Sequence, residues 1–214
     1  NEVREFAIEA SFDLVNSLII RSYSDNPNDA DATHIKSGGK NILAGSSFKG
    51  ALRGRSIRIL NTLGKTNEQV TKIITKLFGN VDDKKRANIA RKGKLSVEEV
   101  NILNFVEELQ NRIKIDRFTA GTIEGSLFDS MPLFKKNNSK NLENVRIAIK
   151  DYEDYEAGLL LLLLKDLWTG DIALGGEKNI GRGTLKGISA TIKWKDTENK
   201  RSEEHTSELQ SPNT

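Results

Sequence analysis

The sequence of 214 residues contains no cysteine and only two histidines. Without cysteine, the chain can have neither a disulfide framework nor a thiolate zinc site. One of the histidines, His205, belongs to a terminal segment that is set aside below, so His34 is the one left for chemistry. Metal sites rich in histidine, and most catalysis that depends on histidine, are therefore excluded.

Long apolar runs are missing as well. The longest is the six leucines at residues 159–164, whereas a membrane-spanning helix needs about 20 apolar residues. The sequence therefore predicts no transmembrane helix, and no signal peptide is visible at its start.

The last residues do not read as part of a fold. Residues 201–211 match the translation of a common sequencing adaptor, and the chain begins without methionine. We therefore expect both termini to be artificial and interpret residues 201–214 as a non-native, adaptor-derived tail. The tail contributes −2 to the formal net charge of +3, which leaves +5 on residues 1–200. This modest basic excess fits a polyanionic partner without identifying one.

Hydrophobic periodicity predicts a mixed α+β chain. Apolar residues alternate along residues 2–22, which indicates one long or two short strands, and the polar residues 25–39 indicate a loop. A helix is predicted at residues 48–60, with Ser46 or Ser47 as its N-cap. The later elements predicted are helices at 68–78 and 96–110 around a charged stretch at 82–94, strand-like runs at 112–134, a strand at 145–149, a buried helix at 155–168 and a closing strand at 188–194.

Two of these regions interrupt a simple order of elements. If residues 66–110 are a helical lid insertion and residues 112–134 an extended hairpin, the remaining order is strand, helix, strand, strand, helix, strand. This is the βαββαβ order of the ferredoxin-like fold. We therefore predict a single α+β domain over residues 1–200 with a ferredoxin-like core.

The first candidate binding motif is GSSFKGALR at residues 45–53. Small residues open a helix whose free N–H groups attract anions. Lys49 and Arg53 lie one helical turn apart beside that positive end. An ordinary capped helix with a solvated basic face explains the same residues.

The second motif combines IDRFTAG at residues 115–121 with GSLFD at residues 125–129. Two apolar runs punctuated by glycine predict an extended hairpin that exposes Arg117 and Phe118. Guanidinium planes and aromatic faces stack on bases or wedge between them. The alternative is a plain hairpin with Phe118 and Phe128 in the core.

The third motif is GGEKNIGRG at residues 175–183. Its glycines let backbone N–H groups approach a phosphate, and two basic side chains add positive charge. It is not a Walker A loop, because the Lys-Ser/Thr pair is missing and the loop leads into a strand, which argues against a nucleotide triphosphatase. The candidate binding residues of this loop are Gly175, Gly176, Lys178, Gly181, Arg182 and Gly183.

In order and approximate spacing, the three motifs together resemble the RAMP superfamily of CRISPR-associated RNA-binding proteins. The closest likeness is to the repeated backbone subunit of type III effector complexes. The resemblance implies a ferredoxin-like, RRM-related core with a helical lid and a thumb-like hairpin at residues 112–134. It also implies filament-like assembly with copies of itself or other RAMP subunits along a CRISPR guide RNA, in the cytoplasm of a prokaryote. The implied RNA-binding residues are Ser46, Ser47, Lys49, Arg53, Arg117, Phe118 and the six residues of the third motif.

The resemblance further implies an aspartate between the first strand and the Gly-Ser-Ser helix that supports metal-dependent cleavage of a single-stranded target RNA. Counting back from residue 45 favours Asp29, with Asp31 next. Either carboxylate can hold Mg²⁺ or Mn²⁺, or assist a 2′-OH in attacking the adjacent phosphate. The plain alternative is that acidic residues in a polar loop only solvate it and cap turns.

Two functions stay open at this point. One is a guide-RNA-binding backbone subunit that also acts as an endoribonuclease on target RNA. The other is a purely structural RNA-binding RAMP subunit. A guide-processing ribonuclease of the same superfamily fits less well, because such enzymes commonly rely on histidine.

Overall fold

A computed structural model describes residues 4–23, 30–79, 92–136, 140–196 and 203–211, and it shows a mixed α+β protein. Its elements in chain order are β1 (Glu5–Leu14), β2 (Ser17–Leu18), β3 (Arg21–Ser22), β4 (Ala32–His34), β5 (Lys36–Ser37), β6 (Lys40–Leu43), α1 (Gly45–Thr62), α2 (Asn67–Phe78), β7 (Leu95–Val97), β8 (Val100–Asn101), β9 (Phe105–Glu107), β10 (Gln110–Ile115), β11 (Thr122–Met131), β12 (Leu133–Lys135), β13 (Leu142–Lys150), α3 (Asp154–Trp168), β14 (Leu185–Asp196) and β15 (Glu203–Gln210). Within these residues, no α-helix combines the length and apolar character that a bilayer crossing requires.

The central sheet has the strand order β15-β14-β1-β13-β7, and all neighbouring strands in it are antiparallel. Leaving β15 aside, the elements of this layer follow the chain as β1, α1, β7, β13, α3 and β14. That order is strand, helix, strand, strand, helix, strand, which is consistent with the predicted ferredoxin-like core. Three smaller sheets, of the orders β10-β11-β4-β3, β2-β12-β9 and β5-β6-β8, complete the described strands.

Strand β1 lies in the middle of the sheet, between β13 and β14, and its alternate residues are apolar. Phe6, Ile8, Phe12 and Leu14 point into the core, while the residues between them form the opposite face. Helix α3 covers the core side of the sheet. Its leucine run is buried except at two positions that turn toward solvent, as helical periodicity requires. The buried members of the run are Leu159, Leu160, Leu163 and Leu164, and Leu167 farther along the helix is buried as well.

The helix predicted at residues 68–78 is present as α2, but the helix predicted at residues 96–110 is wrong. Residues 95–107 hold β7, β8 and β9, and β7 pairs with β13 at the edge of the central sheet. The apolar residues here occur in short groups separated by Asn101 and Asn104. Asn104 has a φ of 53°, in the left-handed region that ends a regular element. Among the described residues of 66–110, the α-helix is thus confined to α2 in the first part of the region.

Two further boundaries differ from the prediction. The stretch at 25–39 was expected to be a loop, yet it contains β4 and β5. Helix α1 begins at Gly45 and has Ala44 at the N-cap with no side-chain capping bond, so neither serine is the cap. Glycine is needed at this start, because a Cβ on Gly45 would lie 2.6 Å from the carbonyl oxygen of Val97. The helix therefore packs its first turn directly on β7.

Part of the C-terminal segment set aside above is paired in the structure. Strand β15 runs antiparallel to β14, from the pair Asp196↔Glu203 to the pair Ser189↔Gln210. The free peptide groups of an edge strand accept an added strand of almost any sequence. The interpretation of residues 201–214 as a non-native tail stays a prediction.

Candidate nucleic-acid interface

Strands β10 and β11 form an antiparallel hairpin over residues 110–131, in the region where the sequence predicted one. At its tip, Asp116 Oδ1 accepts hydrogen bonds from the backbone N–H groups of Phe118, at 2.8 Å, and Thr119, at 2.9 Å. Those bonds from Thr119 and Phe118 lower the pKa of the Asp116 carboxyl. Ala120 takes a φ of 55°, which closes the turn. The tip therefore has a defined shape.

This shape projects Phe118 into solvent, where 99% of its surface is exposed. Arg117 beside it is also exposed. The alternative in which Phe118 lies in the core is excluded. Along the hairpin, further large apolar side chains are partly exposed, and exposed apolar residues gathered on one element favour an interaction site. These are Ile113, Ile115, Ile123, Leu127 and Phe128.

The Gly-rich loop, residues 175–183, lies against the segment that follows β1. The N–H of Gly176 donates to the Ile19 carbonyl, and the N–H of Gly183 donates to the Ser17 carbonyl, both at 2.7 Å. A Cβ on Gly175 would overlap the Ile19 carbonyl, and one on Gly183 would overlap the backbone of Leu174. These glycines allow close backbone packing within the protein. From the sequence, we had predicted instead that they let a phosphate approach the backbone N–H groups.

The middle of the same loop faces outward. Lys178 and Gly181 are exposed, and they belong to a short 3₁₀ turn at Lys178–Ile180 and its end. A Cβ on Gly181 would meet open space. Lys178 is therefore the basic side chain of this loop that is free to reach an external phosphate.

Arg182 is placed differently from the expectation, because it is buried with 3% of its surface exposed. Its Nε donates to Glu177 Oε2 at 2.8 Å, its NH1 donates to Ser17 Oγ at 2.9 Å, and its NH2 donates to Gln110 Oε1. The guanidinium also lies 5.4 Å from the ring centre of Phe134. Burial lowers the pKa of Arg182, with Glu177 opposing that effect. Arg182 thus fastens the Gly-rich loop to the base of the hairpin.

Glu177 is the shared acceptor of this region. Besides Arg182, it binds Arg21 NH2 through Oε1 and Arg112 NH2 through Oε2, each at 3.1 Å. Its side chain is 5% exposed and its backbone is left-handed, with a φ of 55°. Burial alone would raise the pKa of this carboxyl, but the three guanidiniums hold the pKa below its usual value. We call Arg21, Arg112, Glu177 and Arg182 the Glu177 cluster.

The start of α1 presents the residues predicted from the first motif. Ser46 is exposed and Ser47 half-buried in the first turn. Lys49 is half-buried, and burial together with the positive charge of Lys92 lowers the pKa of its ammonium group. No carboxylate of the described residues pairs with Lys49, and Arg53 Nε is buried without a hydrogen-bond partner. Positive charge without a protein partner favours an anionic ligand here.

The open face of the central sheet is unsuited to stacking bases. Arg146 NH2 lies 2.7 Å from Glu5 and its NH1 3.8 Å from Glu9, and Lys193 lies 2.8 Å from Glu9. The residues of β1 on this face, at positions 5, 7, 9, 11 and 13, include no aromatic side chain. Sheets of RNA-recognition domains stack bases on aromatic residues. The most exposed aromatic ring of the described residues, Phe118, is at the hairpin tip instead.

Of the two predicted catalytic aspartates, Asp29 lies outside the described residues, and Asp31 is exposed beside the hairpin base. Asp31 Oδ2 accepts a hydrogen bond of 3.1 Å from the backbone N–H of Asp129. Burial, and then the neighbouring Asp31 carboxylate, raise the pKa of Asp129. The parallel pairing of Ser130 with Ala32 brings the two aspartates together. Asp129 was missed as a site residue because that pairing joins segments distant in the sequence.

Carboxylate oxygens are the ligands that Mg²⁺ prefers, and it commonly uses one or two of them together with waters and substrate phosphates. Asp31 and Asp129 supply such a pair, held close enough for one to raise the pKa of the other. Within the described part of the chain, no group of three or more metal-ligating side chains occurs. This pair of described carboxylates fits a magnesium ion shared with a substrate.

His34 is buried, with 3% of its surface accessible. Its Nδ1 accepts from the N–H of Ile20 at 3.2 Å, and its Nε2 lies 2.8 Å from the carbonyl oxygen of Ile42. Since a carbonyl only accepts, Nε2 carries the proton and the ring is neutral. Burial lowers the pKa of His34. The residue joins the segment after β2 to β6 and is not a catalytic base.

The sequence signature of the RAMP superfamily matches residues 11–186. No curated protein matches the chain. Among solved structures, the chain is similar to one from a type III-B Cmr-beta cryo-EM structure of the apo state, with a TM-score of 0.55 at 12% identity over 90% of this chain and 96% of that chain. At this identity the likeness establishes a shared fold. Because the family signature spans most of the sequence, the chain belongs to the RAMP superfamily.

Proposed function

We propose that the protein is a guide-RNA-binding backbone subunit of a type III CRISPR interference complex. In this role it stacks with copies of itself or with other RAMP subunits along a CRISPR guide RNA. The observation that carries the proposal is the hairpin of residues 110–131, whose tip holds the fully exposed Phe118 away from the core. A monomer gains nothing from exposing such a surface, whereas a neighbouring subunit or a base stack covers it.

The basic residues support a phosphate-binding role. Lys49 at the start of α1 and Lys178 in the Gly-rich loop have no ion-pair partner among the described residues. Ser46, Ser47 and Arg53 belong to the same first turns of α1. Contacts to phosphates carry no sequence information, so a guide of any sequence is accepted.

A double variant tests this role. Lys49→Gln combined with Lys178→Gln should weaken binding to RNAs of unrelated sequence by about the same factor and flatten the dependence of affinity on salt. Lys150→Gln, an exposed lysine of β13, is the matched control and should bind as the parent does. A loss confined to one RNA sequence would contradict phosphate recognition.

The second part of the proposal is cleavage of a single-stranded target RNA after it has paired with the guide. The hairpin tip, with Arg117 and Phe118, wedges the duplex of a neighbouring copy and splays one target nucleotide. This distortion brings a 2′-OH into line with its own phosphate, and positioning of that kind supplies much of the rate. Asp29, or Asp31 with Asp129 beside it, would hold Mg²⁺ or Mn²⁺, which would supply positive charge to neutralise the phosphate.

Cleavage assays on assembled complexes decide between an enzyme and a structural subunit. Asp29→Ala and Asp31→Ala should assemble on guide RNA and bind target, while one of them loses cleavage in Mg²⁺. One observation favours the alternative of a structural RNA-binding subunit. The hydrogen bond from Asp129 N–H to Asp31 gives Asp31 a role in the fold. If the double variant cuts target at the parental rate, the subunit is a structural RNA binder.

A further inference from the structure

The Glu177 cluster has an imbalance of charge. Three guanidiniums, from Arg21, Arg112 and Arg182, share a single carboxylate, which leaves a net charge of +2. Arg182 and Glu177 have side chains only 4% and 5% exposed, so their charges neutralise each other inside the protein. The net charge of +2 therefore resides on Arg21 and Arg112.

Those two arginines have donors to spare. Arg21 and Arg112 each use only NH2 within the described residues, Arg21 toward Glu177 and Arg112 toward Glu177 and Gln110. Their side chains are 43% and 25% exposed, and no described residue accepts a hydrogen bond from their remaining N–H groups. Arg182, in contrast, directs Nε, NH1 and NH2 to protein acceptors. Arg182 therefore stabilises the fold, whereas Arg21 and Arg112 keep N–H groups that can bind a ligand.

The two presented guanidiniums come from different elements. Arg21 is in β3 and lies beside the Gly-rich loop, where a Cβ on Gly176 would be 3.5 Å from its Nε. Arg112 is in β10, at the base of the hairpin. They meet at opposite oxygens of Glu177, which fixes both orientations. Planar guanidinium groups held in this way match the oxygens of a phosphate.

We propose that Arg21 and Arg112 form a binding site for an RNA backbone phosphate between the Gly-rich loop and the hairpin base, and that Glu177 is its positioning residue. This inference rests on the proposed RNA-binding function and adds two contacts that the sequence motifs did not predict. It also explains why Glu177 occupies a left-handed backbone conformation: the strained residue delivers one carboxylate to three arginines.

The test measures the affinity of the full chain for two single-stranded RNAs of equal length and unrelated sequence, over a range of salt concentrations. Arg21→Gln and Arg112→Gln should each weaken binding to both RNAs and reduce the slope of log affinity against log salt by about 0.7, the value for one lost phosphate contact on a single strand. Arg58→Gln removes an exposed arginine of α1 and should keep the parental slope.

Glu177→Gln separates positioning from simple charge. Loss of a negative charge alone would strengthen RNA binding, and Glu98→Gln, an exposed carboxylate on the open sheet face, controls for that effect. We expect Glu177→Gln to weaken RNA binding instead, because the two arginines lose their shared support. Circular dichroism verifies the fold of each variant, and if Glu177→Gln does not fold, the arginine variants decide.

The outcomes distinguish this inference from the function it rests on. If Arg21→Gln and Arg112→Gln keep the parental slope while Lys178→Gln reduces it, the phosphate site is wrong and the RNA-binding function stands. If the parental chain binds neither RNA, the proposed function fails and the site fails with it.

Discussion

His34 is a polar residue whose burial has a measurable consequence. Both ring nitrogens are used by backbone groups, so protonation of Nδ1 breaks the bond from the N–H of Ile20. Burial places the folded-state pKa below the ordinary value of 6.5. The unfolded chain therefore binds a proton at a higher pH than the folded protein does, and acid favours unfolding.

We expect the unfolding free energy contributed by His34 to be fully present above pH 6.5 and to fall by about 1.4 kcal/mol per pH unit below it, until the folded-state pKa is reached. Urea denaturation at several pH values measures this slope. His34→Gln should remove it, whereas His205→Gln, which replaces the other histidine in the sequence, should leave it unchanged. A slope that disappears only in the His205 variant would contradict this role of His34.

Substitutions at two glycines of the Gly-rich loop distinguish the stability cost of backbone strain from that of overpacking. Gly181 and Gly183 have φ values of 83° and 80°, but a Cβ meets open space at Gly181 and the backbone of Leu174 at Gly183. Gly181→Ala should cost about 1–2 kcal/mol for the left-handed conformation alone. Gly183→Ala should cost about 1–3 kcal/mol more from overpacking. Equal losses in thermal denaturation would show that the close approach at Gly183 is unimportant.

At the scale of elements, the Glu177 cluster ties the Gly-rich loop to the hairpin and to β3. Removing the shared carboxylate leaves the positive charges of the three guanidiniums without a compensating negative charge. Glu177→Gln should therefore lower the unfolding free energy by about 3 kcal/mol. The exposed pair of Glu98 with Arg146 is the control, and Glu98→Gln should cost less than about 1 kcal/mol. Similar losses in chemical denaturation would mean that burial of the cluster contributes little.

For the hairpin tip we predict the opposite, a substitution with little effect on the unfolding free energy, because Phe118 contributes to binding and not to the fold. Phe118→Ala should change the unfolding free energy by less than about 0.5 kcal/mol, as exposed substitutions usually do. Phe12→Ala, in the core, should cost about 3–5 kcal/mol. Calorimetry compares the two. A large loss of stability in Phe118→Ala would place the ring inside the fold.

Elements with a clear period were predictable, and those that depend on tertiary pairing were not. The leucine run of α3 and the alternation of β1 determine their structure locally. Residues 95–107 have no dominant period, and β7 forms a strand because β13 offers it a partner. Ser96 and Glu99 also have the spacing of a capping box, a local pattern that favours a helix although a strand forms here. Propensity is a weak signal wherever packing supplies most of the stability.

At the scale of the whole molecule, the sequence motifs predicted the family correctly. They were less successful in predicting the role of each residue within them. The order of the three motifs led to the RAMP superfamily, and the described sheet is consistent with a ferredoxin-like core. Arg182 was assigned to RNA, although burial commits it to the protein. Asp129, Arg21 and Arg112 were overlooked because their partners come from distant segments. A single sequence shows which residues are basic or acidic, but not which of them the fold neutralises.

The central claim, that the protein coats guide RNA as a backbone subunit, is tested most directly by counting bound copies. Native mass spectrometry of the full chain mixed with single-stranded RNAs of increasing length gives that count. A backbone subunit predicts that the number of copies rises in regular steps with RNA length and does not depend on sequence. One copy bound at every length, or binding to only one sequence, would contradict the claim.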